Sequence, residues 1–133
     1  MSVVRFGVSL EIDLLKELDK FVKENHFSNR SQAIRQLITN NIVKKKWESN
    51  EIVAGAISLI YNHHKRDLLN KLANLQHDYH DIILSAQHFH LDHDNCLEII
   101  AVRGGSAKLT MLANKLIAIK GIQHGKLTMS STT

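Results

Sequence analysis

Residues 4–10 read Val-Arg-Phe-Gly-Val-Ser-Leu and alternate throughout. Val4, Phe6, Val8 and Leu10 fall on one face, Arg5, Gly7 and Ser9 on the other, as in a half-buried strand. Helical patterning follows. Leu14, Leu15, Leu18, Phe21 and Val22 recur at helical spacing and predict a helix over 11–25, and Asn25-His26-Phe27-Ser28 breaks the period. Asn29 offers an N-cap oxygen with Gln32 three residues on. Ala33, Ile34, Leu37, Ile38 and Ile42 then mark a second helix over 30–46, ending in Lys44-Lys45-Lys46, where cations suit the helix dipole. One strand and two helices cannot cover their apolar faces alone, and a lone strand leaves its backbone groups without partners. Two copies can pair their strands, so this segment predicts a dimer.

The short alternating strand, the leucine-patterned helix and the stretch Asn29-Arg30-Ser31-Gln32-Ala33-Ile34-Arg35 together resemble the ribbon-helix-helix family of DNA-binding proteins. The resemblance implies that paired strands enter the major groove, which makes Arg5, Gly7 and Ser9 the base-facing residues. Arg5 can bond guanine in bidentate fashion and Ser9 several base edges, whereas Gly7 departs from the hydroxyl residue often found there and offers no side-chain donor. Asn29, Arg30 and Ser31, at the start of the second helix, would grip a backbone phosphate. Read without the resemblance, Arg5 and Arg30 are plain surface charges.

Composition agrees with a polyanionic partner without requiring one. The chain of 133 residues carries a formal net charge of +4. Residues 1–50 hold nine Lys/Arg against six Asp/Glu, and residues 51–133 hold eight against seven, so the excess lies in the N-terminal part. One cysteine excludes an internal disulfide, Met1 leads into no apolar signal region, and no apolar run approaches membrane-spanning length, so a cytoplasmic location is expected with no membrane partner.

Glu48-Ser49-Asn50-Glu51 is polar and unpatterned and reads as a linker, giving domains over 1–47 and 53–133 joined by 48–52. Residues 52–60 form an apolar run suited to a strand buried on both faces. Leu68, Leu69, Leu72, Leu75 and Tyr79 predict a helix over 64–80. Residues 82–91 and 96–103 predict two strands joined through Asp92-His93-Asp94-Asn95. Ser106 is expected to cap a helix carrying Leu109, Leu112, Ala113, Leu116 and Ile117, with Gly121 at its stop and a last strand over 122–129. The whole is α+β, and the order strand, helix, strand, strand, helix, strand is that of a ferredoxin-like βαββαβ domain.

His88 and His90 lie two apart on a strand and share a face; Cys96 opens the next strand. Imidazole with thiolate suits zinc, copper or nickel rather than magnesium or calcium. Taken singly, the histidines could be ordinary sheet residues and Cys96 a small core hydrophobe. Together, H-x-H with a cysteine six positions beyond its second histidine points to metal.

Gln76-His77, His88-Phe89-His90, His93-Asp94-Asn95-Cys96-Leu97-Glu98 and the run Lys120 to Leu127, with the ribbon-helix-helix start, look like the nickel-responsive transcriptional regulators. The resemblance implies a regulatory domain of the ACT type and a homotetramer, a dimer of dimers. It implies one square-planar Ni(II) per subunit, held by His88, His90 and Cys96 of one chain and His77 of its neighbour. Gln76 and Glu98 would hydrogen-bond the ligands and orient them. Lys65 and Arg66 match positions that touch DNA phosphates in the family. Some members bind a hard cation through acidic residues where this chain has Gln32 and Gln36, and neutral amides are poorer ligands for it.

The expected function is therefore a repressor of nickel uptake that binds a palindromic operator in the nickel-bound state, and not an enzyme. A closed four-ligand set leaves no open metal position for hydrolysis. The alternatives are a regulator that answers to copper, cobalt or zinc, and a non-regulatory protein that binds a metal or small molecule.

Overall fold

The computed structural model describes residues 2–132, which fall into two compact units dividing between residues 41 and 42. Among these residues no helix is long and apolar enough to cross a membrane.

In the first unit, residues 2–11 are neither helix nor strand, and α1 (Ile12–Glu24) and the start of α2 (Arg30–Glu48) follow. Val4, Phe6 and Val8 stand exposed, with 83%, 74% and 59% of their surface open. Among the described residues no strand pairs with the alternating stretch. The stop of α1 is a Schellman turn. His26 takes a left-handed φ of 58°, its N–H donates to the Lys23 carbonyl and the Phe27 N–H to that of Val22. At the start of α2, the Asn29 side chain accepts the Gln32 N–H at 2.9 Å, the expected cap.

The second unit is a four-stranded antiparallel sheet with two helices. Its elements are β1 (Ile52–Asn62), α3 (Arg66–Asp78), a 3-10 turn (His80–Ile82), β2 (Ile83–His90), β3 (Asn95–Gly105), α4 (Ser106–Ile117) and β4 (Ile122–Ser130). The strand order β2-β3-β1-β4 puts the two halves of each β-α-β unit on alternating strands, as the ferredoxin-like arrangement requires. The core lies on one face of this sheet. Ile57, Leu59, Ile100 and Val102 point into it and meet Leu68 and Leu72 of α3 and Leu109, Leu112 and Leu116 of α4.

Three expectations need correction. β1 is not buried on both faces: Val53, Ile57, Leu59 and Tyr61 are buried while the residues between them are half-open, because within this chain α3 and α4 cover one side only. Ser106 does not cap α4 either. It is the first residue of the helix, and its hydroxyl donates to the Trp47 carbonyl at 2.5 Å. The cap comes from Asn50, whose Oδ1 accepts the Ala107 N–H at 3.0 Å. Nor does Gly121 end α4, which closes at Ala118; with φ of 107°, Gly121 forms the turn into β4.

Asn50 also ends α2. Its own φ of 51° is left-handed, and the Glu51 N–H donates to the Lys46 carbonyl at 3.1 Å, so Ser49-Asn50-Glu51 is a helix stop fixed by hydrogen bonds. Next to it Trp47 is buried, donating its indole N–H to the Ser130 carbonyl at 3.0 Å. A side chain on Gly55 would meet the Trp47 ring at 3.3 Å and the Thr128 carbonyl oxygen at 2.6 Å, so only glycine lets that backbone approach.

Candidate metal centre

The register of β2 on β3 builds the site. His90 lies opposite Cys96 and His88 opposite Glu98, so both histidines share the face of the sheet that carries Cys96 and Glu98. β2 is an edge strand and both of its histidines are exposed, whereas Cys96 and Glu98, one strand further in, are buried. Two exposed imidazoles and a buried thiol therefore line one corner of the domain.

Beneath them sits a buried carboxylate with every bond accounted for. Glu98 accepts the Tyr61 hydroxyl at 2.8 Å and the Gln76 amide N–H at 2.9 Å. Tyr61 lies opposite Cys96 in the β1–β3 register. Burial first, and then the Glu98 carboxylate, push the Tyr61 phenol well above its ordinary range, so it stays protonated. Its one proton goes to Glu98. The Tyr61 oxygen is also 3.3 Å from Nδ1 of His88, and with the phenol proton committed, Nδ1 must be the donor there. That tautomer leaves the lone pair of His88 on Nε2, which lies 3.6 Å from Glu98.

The donor chemistry fits a borderline transition metal: two imidazoles, one with its tautomer set, and a thiol that binds once deprotonated. His77 stands apart. It is exposed on the last turn of α3, its ring stacked at 5.9 Å on that of His80; among the described residues neither His77 nor the His88, His90 and Cys96 set brings three ligand atoms within 4.8 Å of one another. Gln76, its neighbour in sequence, does reach the site through Glu98.

The candidate DNA-contacting residues divide similarly. Arg5, Gly7 and Ser9 are exposed, and nothing lies within 4 Å of where a Gly7 side chain would begin. Arg30 is engaged: its Nε and one terminal nitrogen donate to the two oxygens of Asp19 at 2.8 and 3.0 Å. Asn29 has its side chain in the cap, while Ser31, Lys65 and Arg66 are exposed.

Tyr61 was not singled out by the sequence. It falls just beyond the apolar run, and its one signal, an aromatic hydroxyl at the end of a strand, gains meaning only through the register that sets it against Cys96.

Residues 54–130 match the family described as the NikR C terminal nickel binding domain, and residues 4–45 match the ribbon-helix-helix proteins of the copG family. A protein of Syntrophus aciditrophicus is 56% identical over 129 residues, covering 97% of this chain and 94% of its own length. One of Pyrococcus abyssi is 45% identical over 133 residues, covering 99% and 96%. Both carry the name nickel-responsive regulator. Among solved structures, an uncharacterized protein from Thermotoga maritima superposes with a TM-score of 0.54 at 14% identity, over 59% of this chain and 98% of that one, a likeness of fold alone.

Proposed function

The chain belongs to the nickel-responsive regulators, and from that premise we propose that it is a nickel-dependent DNA-binding repressor whose target is a palindromic operator of nickel uptake genes. The observation that carries this reading is the corner formed by His88, His90 and Cys96 over the Tyr61–Glu98–Gln76 network. His88, His90 and Cys96 hold one Ni(II) per chain together with His77 from a second chain, and the metal supplies a bond between subunits that neither makes alone. Gln76 and Glu98 orient the ligands.

A homotetramer, a dimer of dimers in the cytoplasm, follows from the same reading. Its support lies in surfaces one chain leaves bare: Val4, Phe6 and Val8 at the start, and Phe89 and Ile99 on the sheet face away from the helices. Residues 1–47 bind DNA and residues 53–133 bind metal and assemble, with 48–52 between them. Arg5, Gly7 and Ser9 face the bases. Asn29, Arg30, Ser31, Lys65 and Arg66 meet phosphates, Arg30 only after leaving Asp19. The chain has no catalytic role in this reading.

By linkage, DNA tightens nickel binding by the factor by which nickel tightens DNA binding. A mobility-shift titration on a palindromic operator tests the proposal. Nickel is expected to be required, and Cys96→Ala to abolish the nickel-dependent tight binding; nickel-independent binding that survives the substitution would sink it. Arg5→Ala is expected to remove specific binding and leave nickel uptake intact.

A further inference from the structure

We propose that Tyr79 and Lys115 are a positioning pair for His77: they lock the end of α3 to α4, so that His77 is held ready for the metal corner of a second chain. The inference rests on the reading above, in which His77 is the ligand that one chain lends to another.

The helix is buried less and less toward that end. Leu68 and Leu72 anchor its first two turns, Leu75 and Gln76 are half-buried, and His77 and Asp78 are exposed. The next buried side chain after Leu72 is Tyr79, two turns on. Its ring joins the core, and its hydroxyl accepts a hydrogen bond from Nζ of Lys115 at 3.0 Å. The same ammonium lies 5.3 Å from the centre of the ring, and Nζ of Lys108, two turns earlier on α4, lies 6.0 Å from it, so both cations face the aromatic side chain. Lys108 also pairs with Asp81 in the 3-10 turn that follows α3. The support is firm, because buried Leu109, Leu112, Ala113 and Leu116 fix α4 in the core.

His77 thus lies between two anchors. Just before it, Gln76 is bonded to Glu98 on β3 at 2.9 Å; just after it, Tyr79 is bonded to α4. A ligand whose backbone is already fixed loses less freedom when it binds, so both anchors raise the affinity of the site that His77 completes. With the second anchor gone, the last turn of α3 has an exposed end and few buried contacts, and it frays.

Hydrogen exchange and Ni2+ titration of the full chain test the proposal. In the metal-free protein, Tyr79→Phe and Lys115→Met are each expected to speed exchange of the amides of residues 77–79 and to leave those of β3 unchanged. Nickel affinity is expected to fall roughly tenfold in either variant and no further in the double variant, because each removes the same bond. Lys115→Arg keeps a charged donor and is expected to bind nickel as the wild type does. Against a His77→Ala background, Tyr79→Phe is expected to weaken nickel binding no further, whereas a loss of stability alone would act with or without His77. Lys115 is exposed, so Lys115→Met keeps the fold even where Tyr79→Phe weakens it, and circular dichroism verifies this. A wild type that binds no nickel overturns the reading beneath the inference. A wild type that binds nickel no better than Tyr79→Phe and Lys115→Met, or a Tyr79→Phe effect that persists in full without His77, overturns the positioning pair itself.

Discussion

Tyr61 sets the protonation pattern of the corner, and its hydroxyl can be removed without changing the packing of its ring. In Tyr61→Phe the buried Glu98 keeps the Gln76 amide but loses its other donor. The expected cost is about 1–3 kcal/mol in folding free energy, measured by denaturant titration. Nickel affinity is expected to drop about 10–100-fold, since His88 no longer has its tautomer fixed. Unchanged affinity would mean that the hydroxyl does not orient the ligand. A second residue-scale prediction concerns Asp19, whose carboxyl the Arg30 guanidinium holds below the usual carboxylate range, first by hydrogen bonding. A depressed folded value means the pairing is fully present at neutral pH and is lost as pH falls through that value, below about 4. Asp19→Asn breaks it at neutral pH. Arg30 is then free for phosphate, and the slope of log affinity against log salt is expected to steepen by up to about one unit.

At the scale of elements, Asn50 ends α2 and caps α4, a helix beginning 56 positions later. Asn50→Ala loses the cap, worth about 1 kcal/mol, and also forces an alanine into left-handed backbone. Asn50→Gly loses only the cap, so the alanine variant is expected to melt lower than the glycine variant; the reverse order would refute the double role. The same residue shows where sequence reading reaches its limit. Apolar periodicity made α1, α2, α3, α4 and the four strands β1 to β4 legible, since a helix or strand writes its buried face into its own spacing, whereas the stretch over 4–10 is no strand within one chain. Asn50 read as linker because its partner, Ala107, lies outside any local window. β1 read as doubly buried because Ala54, Ala56 and Ile60 on its second face are apolar too, and spacing cannot tell how many sides of a sheet have helices. In the corner, His88, His90 and Cys96 were legible because their spacing is local to one hairpin; Tyr61 was not, because it joins them through strand register.

At the scale of the whole molecule, one chain leaves apolar surface bare, most plainly Val4, Phe6 and Val8, which in the proposed assembly a second copy covers. Phe6→Asp is therefore expected to dissociate the pair and to lower the melting temperature, which in the wild type should rise with protein concentration. A melting temperature independent of concentration in both proteins would argue against obligate pairing. The path of α2 also governs how the molecule can be cut. The helix runs unbroken through the junction of the two compact units, so a protease finds no loop there and is expected to nick the stretch from Asn25 to Asn29 first. A fragment meant to carry the metal corner alone must start before Trp47. Begun at residue 48, it would lose the indole that fills the space over Gly55 and bonds Ser130, and would expose a hole to water in its place.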